Sequence, residues 1–165
     1  MKRVCVLSIL LCFFIIGCAT TSKPRKTQLQ IREFQTRVYD KCDTKMVMKA
    51  VLNVLQDDGF MVKNAVPELG LLTAEKEVDV ESPSEVFWTS FFAGAHARWK
   101  KACVIECTAN VSEFGTKTRV RVTFQQKVLD NKGGIIKVEQ ICSEKYYQDF
   151  FSKVDKGVFI EEEKL

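Results

Sequence analysis

Histidine is nearly absent: one, His96, stands among 165 residues, with three prolines, eight glycines and two tryptophans. One imidazole excludes a multi-histidine metal centre and leaves a histidine-based nucleophile dyad a single position to draw on. Scarce proline and glycine exclude collagen-like, mucin-like and linker-dominated chains. The chain carries no G-x-S-x-G, no glycine-rich phosphate loop, no H-E-x-x-H and no P-C-x-x-C, so the common hydrolase, nucleotide-loop and zinc signatures are missing. Charge of one sign is also in short supply. A formal net charge of +4 is no argument for nucleic acid. What is present is 46% hydrophobic and 28% charged residues with twelve phenylalanines, a composition that excludes wholesale disorder and fits one globular domain.

The N-terminus carries the sharpest pattern. Met1-Lys2-Arg3 is a positive start, and Val4 to Ile16 is an apolar run interrupted by one serine and two cysteines. As a helix it spans roughly 20 Å, against about 30 Å of bilayer hydrocarbon, so it reads as a secretory signal rather than a span. Ile15-Ile16-Gly17-Cys18 resembles a bacterial lipobox. The small Gly17 suits a narrow peptidase cleft, and the Cys18 thiol is the nucleophile that takes the lipid. The resemblance implies a signal peptide over 1–17, cleavage before Cys18, and two or three acyl chains, enough for a stable anchor. The alternative is plain secretion with cleavage near Ala19. Ala19 stands where an aspartate would resemble an inner-membrane retention signal, which points to the outer membrane, periplasmic side, in a Gram-negative host. Removing Lys2 and Arg3 takes the 25 basic residues to 23 against 21 acidic, a net charge of +2.

Residues 18–28 read as the lipidated cysteine and a tether, with Lys23, Arg25 and Lys26 within reach of anionic head groups or simply solvated. A single domain over 29–165 follows. Leu29, Ile31 and Glu33, then Phe34, Thr36 and Val38, alternate as in a strand with a bulge. Asp40 and Asp43 read as a helix N-cap and a first-turn acid. Met46, Val47, Ala50, Val51, Val54 and Leu55 form a wide helical stripe that Asp57-Asp58-Gly59 ends. Phe60 to Ala65 and Leu71 to Val80 read as a hairpin around Pro67-Glu68-Leu69-Gly70. Ala102 to Glu113 puts Cys103, Ile105, Cys107, Ala109 and Val111 on one face. After Phe114-Gly115-Thr116, the next strand buries Val120, Val122, Phe124 and Val128 and turns Arg119, Arg121, Thr123 and Gln125 outward. Asp130 to Gly134 is a turn and Ile135 to Ile141 a short strand, a candidate edge for strand addition. Ser143-Glu144 caps a last helix with Tyr147, Phe150, Phe151, Val154 and Val158 on one side. Glu161, Glu162 and Glu163 oppose its dipole, which predicts fraying. The expected fold class is α+β: an antiparallel sheet with helices on one face, order β-α-β-β-(aromatic segment)-β-β-β-α.

Leu55-Gln56-Asp57-Asp58-Gly59-Phe60 and Gly70-Leu71-Leu72-Thr73-Ala74-Glu75-Lys76 resemble an uncharacterised family of bacterial lipoproteins. There a helix ends in LQDxGF and the next hairpin reads GxLTAxK. This resemblance covers about residues 31–80. More loosely, and in architecture only, the chain is similar to the helix-grip domains of the lipoprotein C subunit of the outer-membrane β-barrel assembly machinery. Neither resemblance supplies catalytic residues.

Cys103 and Cys107 on one strand lie roughly 13 Å apart, too far to bond each other and wrongly spaced for a zinc knuckle with His96. A bond joining Cys42 and Cys142, or either to Cys103, stays open, in a compartment that permits disulfides. Glu75, Glu77, Asp79 and Glu81 form a carboxylate row that is a surface for cations or a basic partner, a solvated face, or one side of a salt-bridge ladder to Lys117, Arg119 and Arg121. Phe87, Trp88, Phe91, Phe92 and Trp99 gather on one side if their segment is helical, followed by Arg98, Lys100 and Lys101. That stripe is either core or an interface for membrane or an envelope protein. The expectation is a non-catalytic, lipid-anchored envelope protein with a periplasmic structural, assembly or binding role. It has Cys18 as lipidation site, the membrane as partner, and no metal, cofactor or nucleic acid. The alternative is a periplasmic carrier of a small apolar or lipid-like ligand, its cavity lined by methionines and phenylalanines under a gripping helix.

Overall fold

A computed structural model describes residues 26–79 and 100–163. The elements in chain order are α1 (Gln28–Phe34), β1 (Thr36–Asp40), α2 (Thr44–Asp57), β2 (Met61–Val66), a 3-10 turn (Pro67–Leu69), β3 (Leu71–Asp79), β4 (Lys100–Phe114), β5 (Lys117–Asp130), β6 (Ile135–Gln140) and α3 (Glu144–Glu163). The six strands make one antiparallel sheet, β1-β5-β4-β3-β2, with β6 also on β5. The α+β class read from the sequence holds.

The first element differs from expectation. Residues 28–34 are a helix, and only Thr36–Asp40 is strand. Thr27 caps it reciprocally: its hydroxyl accepts from Gln30 N–H, and the Gln30 side chain accepts from Thr27 N–H. This capping box satisfies donors that otherwise go unpaired. The apparent bulge is therefore the helix-to-strand junction. The fold thus takes in Lys26 to Gln28, which the sequence reading gave to the tether, and Lys26 is bound to Glu144 at 2.8 Å. The cap of α2 is Asp43, not Asp40: its carboxylate accepts from Lys45 and Met46 N–H.

One sheet face is covered. Val47, Ala50, Val51, Val54 and Leu55 of α2 and Tyr147, Phe150, Phe151, Val154 and Val158 of α3 pack onto Leu72, Ala74, Cys107, Ala109, Val111, Val120, Val122 and Phe124. Burial at this scale is the main favourable term in folding. The opposite face is polar, but its ion pairs are not the expected ladder. In register, Glu75 faces Glu106 and Arg121 faces Asn110, so β4 separates the carboxylates of β3 from the cations of β5. Glu75 pairs instead with Lys63, and Glu106 with Lys127, each at 2.5 Å. Lys117 meets Asp40 at 2.7 Å, and Arg119 lies 5.1 Å from the Phe114 ring centre.

β1 and β6 occupy the same edge of β5 in tandem, β1 along 117–121 and β6 along 125–129. Backbone and side-chain groups together bridge the interval between them. Val122 N–H donates to Gln35 O and Ile141 N–H to Phe124 O, both at 2.9 Å. The remaining Phe124 N–H donates to the Tyr147 hydroxyl at 3.0 Å, which also accepts from Gln35 Nε2 at 3.0 Å. Gln35 and Tyr147 are both fully buried, and this pairing satisfies polar groups that would otherwise be costly inside. The last turn of α3 does not fray: the helix continues to Glu163, with Lys49 on Glu161 at 2.8 Å and the Cys42 thiol donating to Glu162 at 3.1 Å. Long-range partners outweigh the helix dipole there.

Candidate functional site

The sites singled out in the sequence, Cys18 and the stripe Phe87, Trp88, Phe91, Phe92 and Trp99, lie outside the described residues, as do His96 and Glu81. The described residues contribute a cleft of about 340 Å³ beside α3, within the size range of small-molecule sites. Its apolar wall is Phe60, Val78, Ile105 and Phe150, and its rim is Asp58, Lys76, Tyr146, Asp149 and Lys153.

Each wall follows from local sequence. The chain leaves α2 through Asp58-Gly59, and Phe60 N–H closes onto Leu55 O at 2.8 Å. That turn lays the Phe60 ring 5.9 Å from Phe124. Lys76 falls on the covered face because strand alternation places it between Ala74 and Val78. Its ammonium donates to Asp58 O at 2.7 Å, where the exposed carbonyls of a helix end attract a cation, and lies 6.0 Å from the Phe60 ring centre. Lys153 of α3 pairs with the Asp58 carboxylate. Burial pushes the Tyr146 phenol up to about 12, helped by the nearby acidic groups of Cys107, Asp58 and Tyr147. The phenol therefore stays neutral and can donate a hydrogen bond across the neutral pH range. Two lysines against two aspartates balance the rim charge, which suits an apolar or amphipathic guest over a strongly charged one.

This pocket was only partly legible. Lys76 in the row Leu72, Ala74, Lys76, Val78 was the signal, since a lysine at a core-facing position needs a reason. Nothing marked Tyr146, Asp149 or Lys153, which reach the cleft only through the docking of α3.

Three of the four described thiols, Cys42, Cys103 and Cys107, sit where nucleophilic chemistry is disfavoured. Cys42, Cys103, Cys107 and Cys142 are all free. Cys42 and Cys142 stand at opposite ends of α3, about 30 Å apart at 1.5 Å per residue, so the disulfide between them left open by the sequence does not form. Burial, then the hydrogen bond to Glu162 and its charge, push the Cys42 thiol up to about 11. Burial likewise raises Cys103 and Cys107. A thiolate is the reactive form, and these sites disfavour it. Because the folded chain keeps a proton on Cys42 that the unfolded chain releases near the ordinary value of 9.0, stability is full below pH 9 and falls as pH rises to 11. Urea midpoints at pH 8 and 10.5 should show this loss, and Cys42→Ser should reduce it. An equal loss in the variant would refute the assignment.

Among the described residues, no group of three or more His, Cys, Asp or Glu is placed to hold a metal ion, and no helix is long and apolar enough to cross a membrane. Comparison with known protein families and with curated proteins gives no match for this chain.

Proposed function

We propose that this chain is a non-catalytic lipid-anchored envelope protein. Cys18 carries the acyl chains, and the α+β domain serves a structural, assembly or binding role at the periplasmic side of the outer membrane of a Gram-negative host. The observation that carries this reading is the coincidence of Met1-Lys2-Arg3, the apolar run Val4 to Ile16, and Ile15-Ile16-Gly17-Cys18. Phe87, Trp88, Phe91, Phe92 and Trp99, beside Arg98, Lys100 and Lys101, are its candidate contacts with membrane or an envelope protein.

A second reading, a carrier of a small apolar or lipid-like ligand, is favoured by the cleft between Phe60, Ile105 and Phe150. One experiment addresses both. The protein is extracted from its native membranes in mild detergent and weighed intact, first denatured and then native. A denatured mass of residues 18–165 plus two or three acyl chains is the expected result; a bare chain refutes the anchor. A native mass per chain exceeding the denatured one by a discrete small molecule supports the carrier, and equality of the two removes it.

A further inference from the structure

The outer edge of β6, among the described residues, leaves backbone pairing groups unused. Among the described residues, β5 is the only strand that pairs with β6, and all six residues of β6 are exposed. Because Ile141 N–H points to Phe124 O, the alternation of an antiparallel ladder turns the N–H and C=O of Lys137 and Glu139 toward β5. Those of Val138 and Gln140 then face outward, and Ile136 is the extra residue of a bulge where the register shifts between Val128 and Leu129. Ile136 and Val138 are 50% and 48% exposed, and such an edge is a template for another strand.

Its charges select the occupant. Lys137-Val138-Glu139 carries opposite charges either side of one apolar residue, so it is complementary to itself when run antiparallel. We propose that a second copy of this chain pairs β6 with β6 about a two-fold axis at Val138, continuing the sheet across two protomers. Val138 then faces Val138, and Lys137 of each copy faces Glu139 of the other. The two Val138 residues exchange backbone hydrogen bonds, and the charge pairs take the positions where side chains approach most closely. Lys137 and Glu139 sit opposite Val128 and Gln126 of β5. Both ion pairs therefore fall on the helix side of the joined sheet, with Val138 on the other. Within one chain Lys137 and Glu139 meet at 2.6 Å with side chains 59% and 44% exposed, free to trade that contact for one across the axis. This isologous contact closes on itself and ends at two copies.

The test is native mass spectrometry of the full-length protein in detergent across a dilution series. The wild type is expected to be a dimer that dissociates on dilution. Lys137→Glu sets carboxylates against Glu139, and Glu139→Lys sets ammonium groups against Lys137; each should weaken the dimer roughly tenfold. Mixing the two variants, one labelled with 15N, should restore a heterodimer, because each like-charged strand then meets its opposite. The contact within one chain is broken in both variants and cannot account for that rescue. Val138→Pro removes an outward N–H without touching the ladder to β5 and should leave a monomer. A monomeric wild type, charge variants as dimeric as the wild type, a mixture without heterodimer, or a dimeric Val138→Pro would each overturn the proposal.

Discussion

Replacing Gly70 with alanine is expected to cost about 4 kcal/mol, most of the margin of a domain at the low end of ordinary stability. Gly70 ends the 3-10 turn with φ +62°, where a side chain is already strained. Space is the larger obstacle. A Cβ there would lie 1.8 Å from the Val111 carbonyl oxygen and 2.9 Å from its carbon. Backbone, unlike the tip of a side chain, cannot swing aside. Val111 belongs to β4, held by β3 on one side and β5 on the other, and its N–H donates to Gly70 O at 2.8 Å. Gly133 is the control: its φ is +79°, but nothing lies within 4 Å of its would-be Cβ, so Gly133→Ala should cost about 1 kcal/mol. Urea unfolding of both variants checks this. Similar losses at the two positions would show that backbone strain, not the approach to Val111, dominates.

Phe124→Ala should cost about 3–5 kcal/mol, as large-to-small changes at well-packed aromatics do. Phe124 is fully buried and its ring is surrounded by others: Tyr146 at 4.9 Å, Phe150 at 5.2 Å, Tyr147 at 5.5 Å and Phe60 at 5.9 Å between centres. These rings come from α3 and from Phe60 just past the Asp58-Gly59 turn that ends α2, so the loss loosens both helices from the sheet. Its N–H bond to Tyr147 is a backbone bond and survives the substitution, leaving packing as the quantity measured. Phe124→Leu, which keeps most of the volume, should cost under about 1.5 kcal/mol. Unfolding midpoints that fail to separate the two variants would mean the site collapses around the missing ring. Phe60, Tyr146 and Phe150 also line the cleft, so the alanine variant should lose any guest that the pocket retains.

Strand and helix periods carried most of the fold into the sequence. The stripe Val47 to Leu55 and the alternation Val120, Val122, Phe124 need only local geometry, and the structure places both as their spacing dictates. Residues 28–34 misled because the helix buries only Ile31 while Leu29 stays 77% exposed. A helix with one buried residue has no stripe to find, and its sequence signal was the Thr27–Gln30 cap. The ion pairs were misread for a different reason. Alternation fixes the face of a charge but not which strand lies beside it, and β4 intervenes between β3 and β5. The acids ending α3 needed Lys49 and Cys42, more than a hundred residues away in the chain. The cleft needed the same docking step.

The shared edge of β5 also sets an order of events. β1 is made early and β6 and α3 last, yet both ends must settle on one strand before Phe124 N–H finds Tyr147 and Gln35 is enclosed. Gln35 and Tyr147 stand 112 positions apart, so neither the N-terminal nor the C-terminal part can finish its polar pairing while the chain is incomplete. Contacts of such sequence separation form slowly, on millisecond-to-second scales for sheet-rich domains. A chain interrupted before α3 is therefore expected to keep Gln35 and the Phe124 N–H hydrated rather than enclosed.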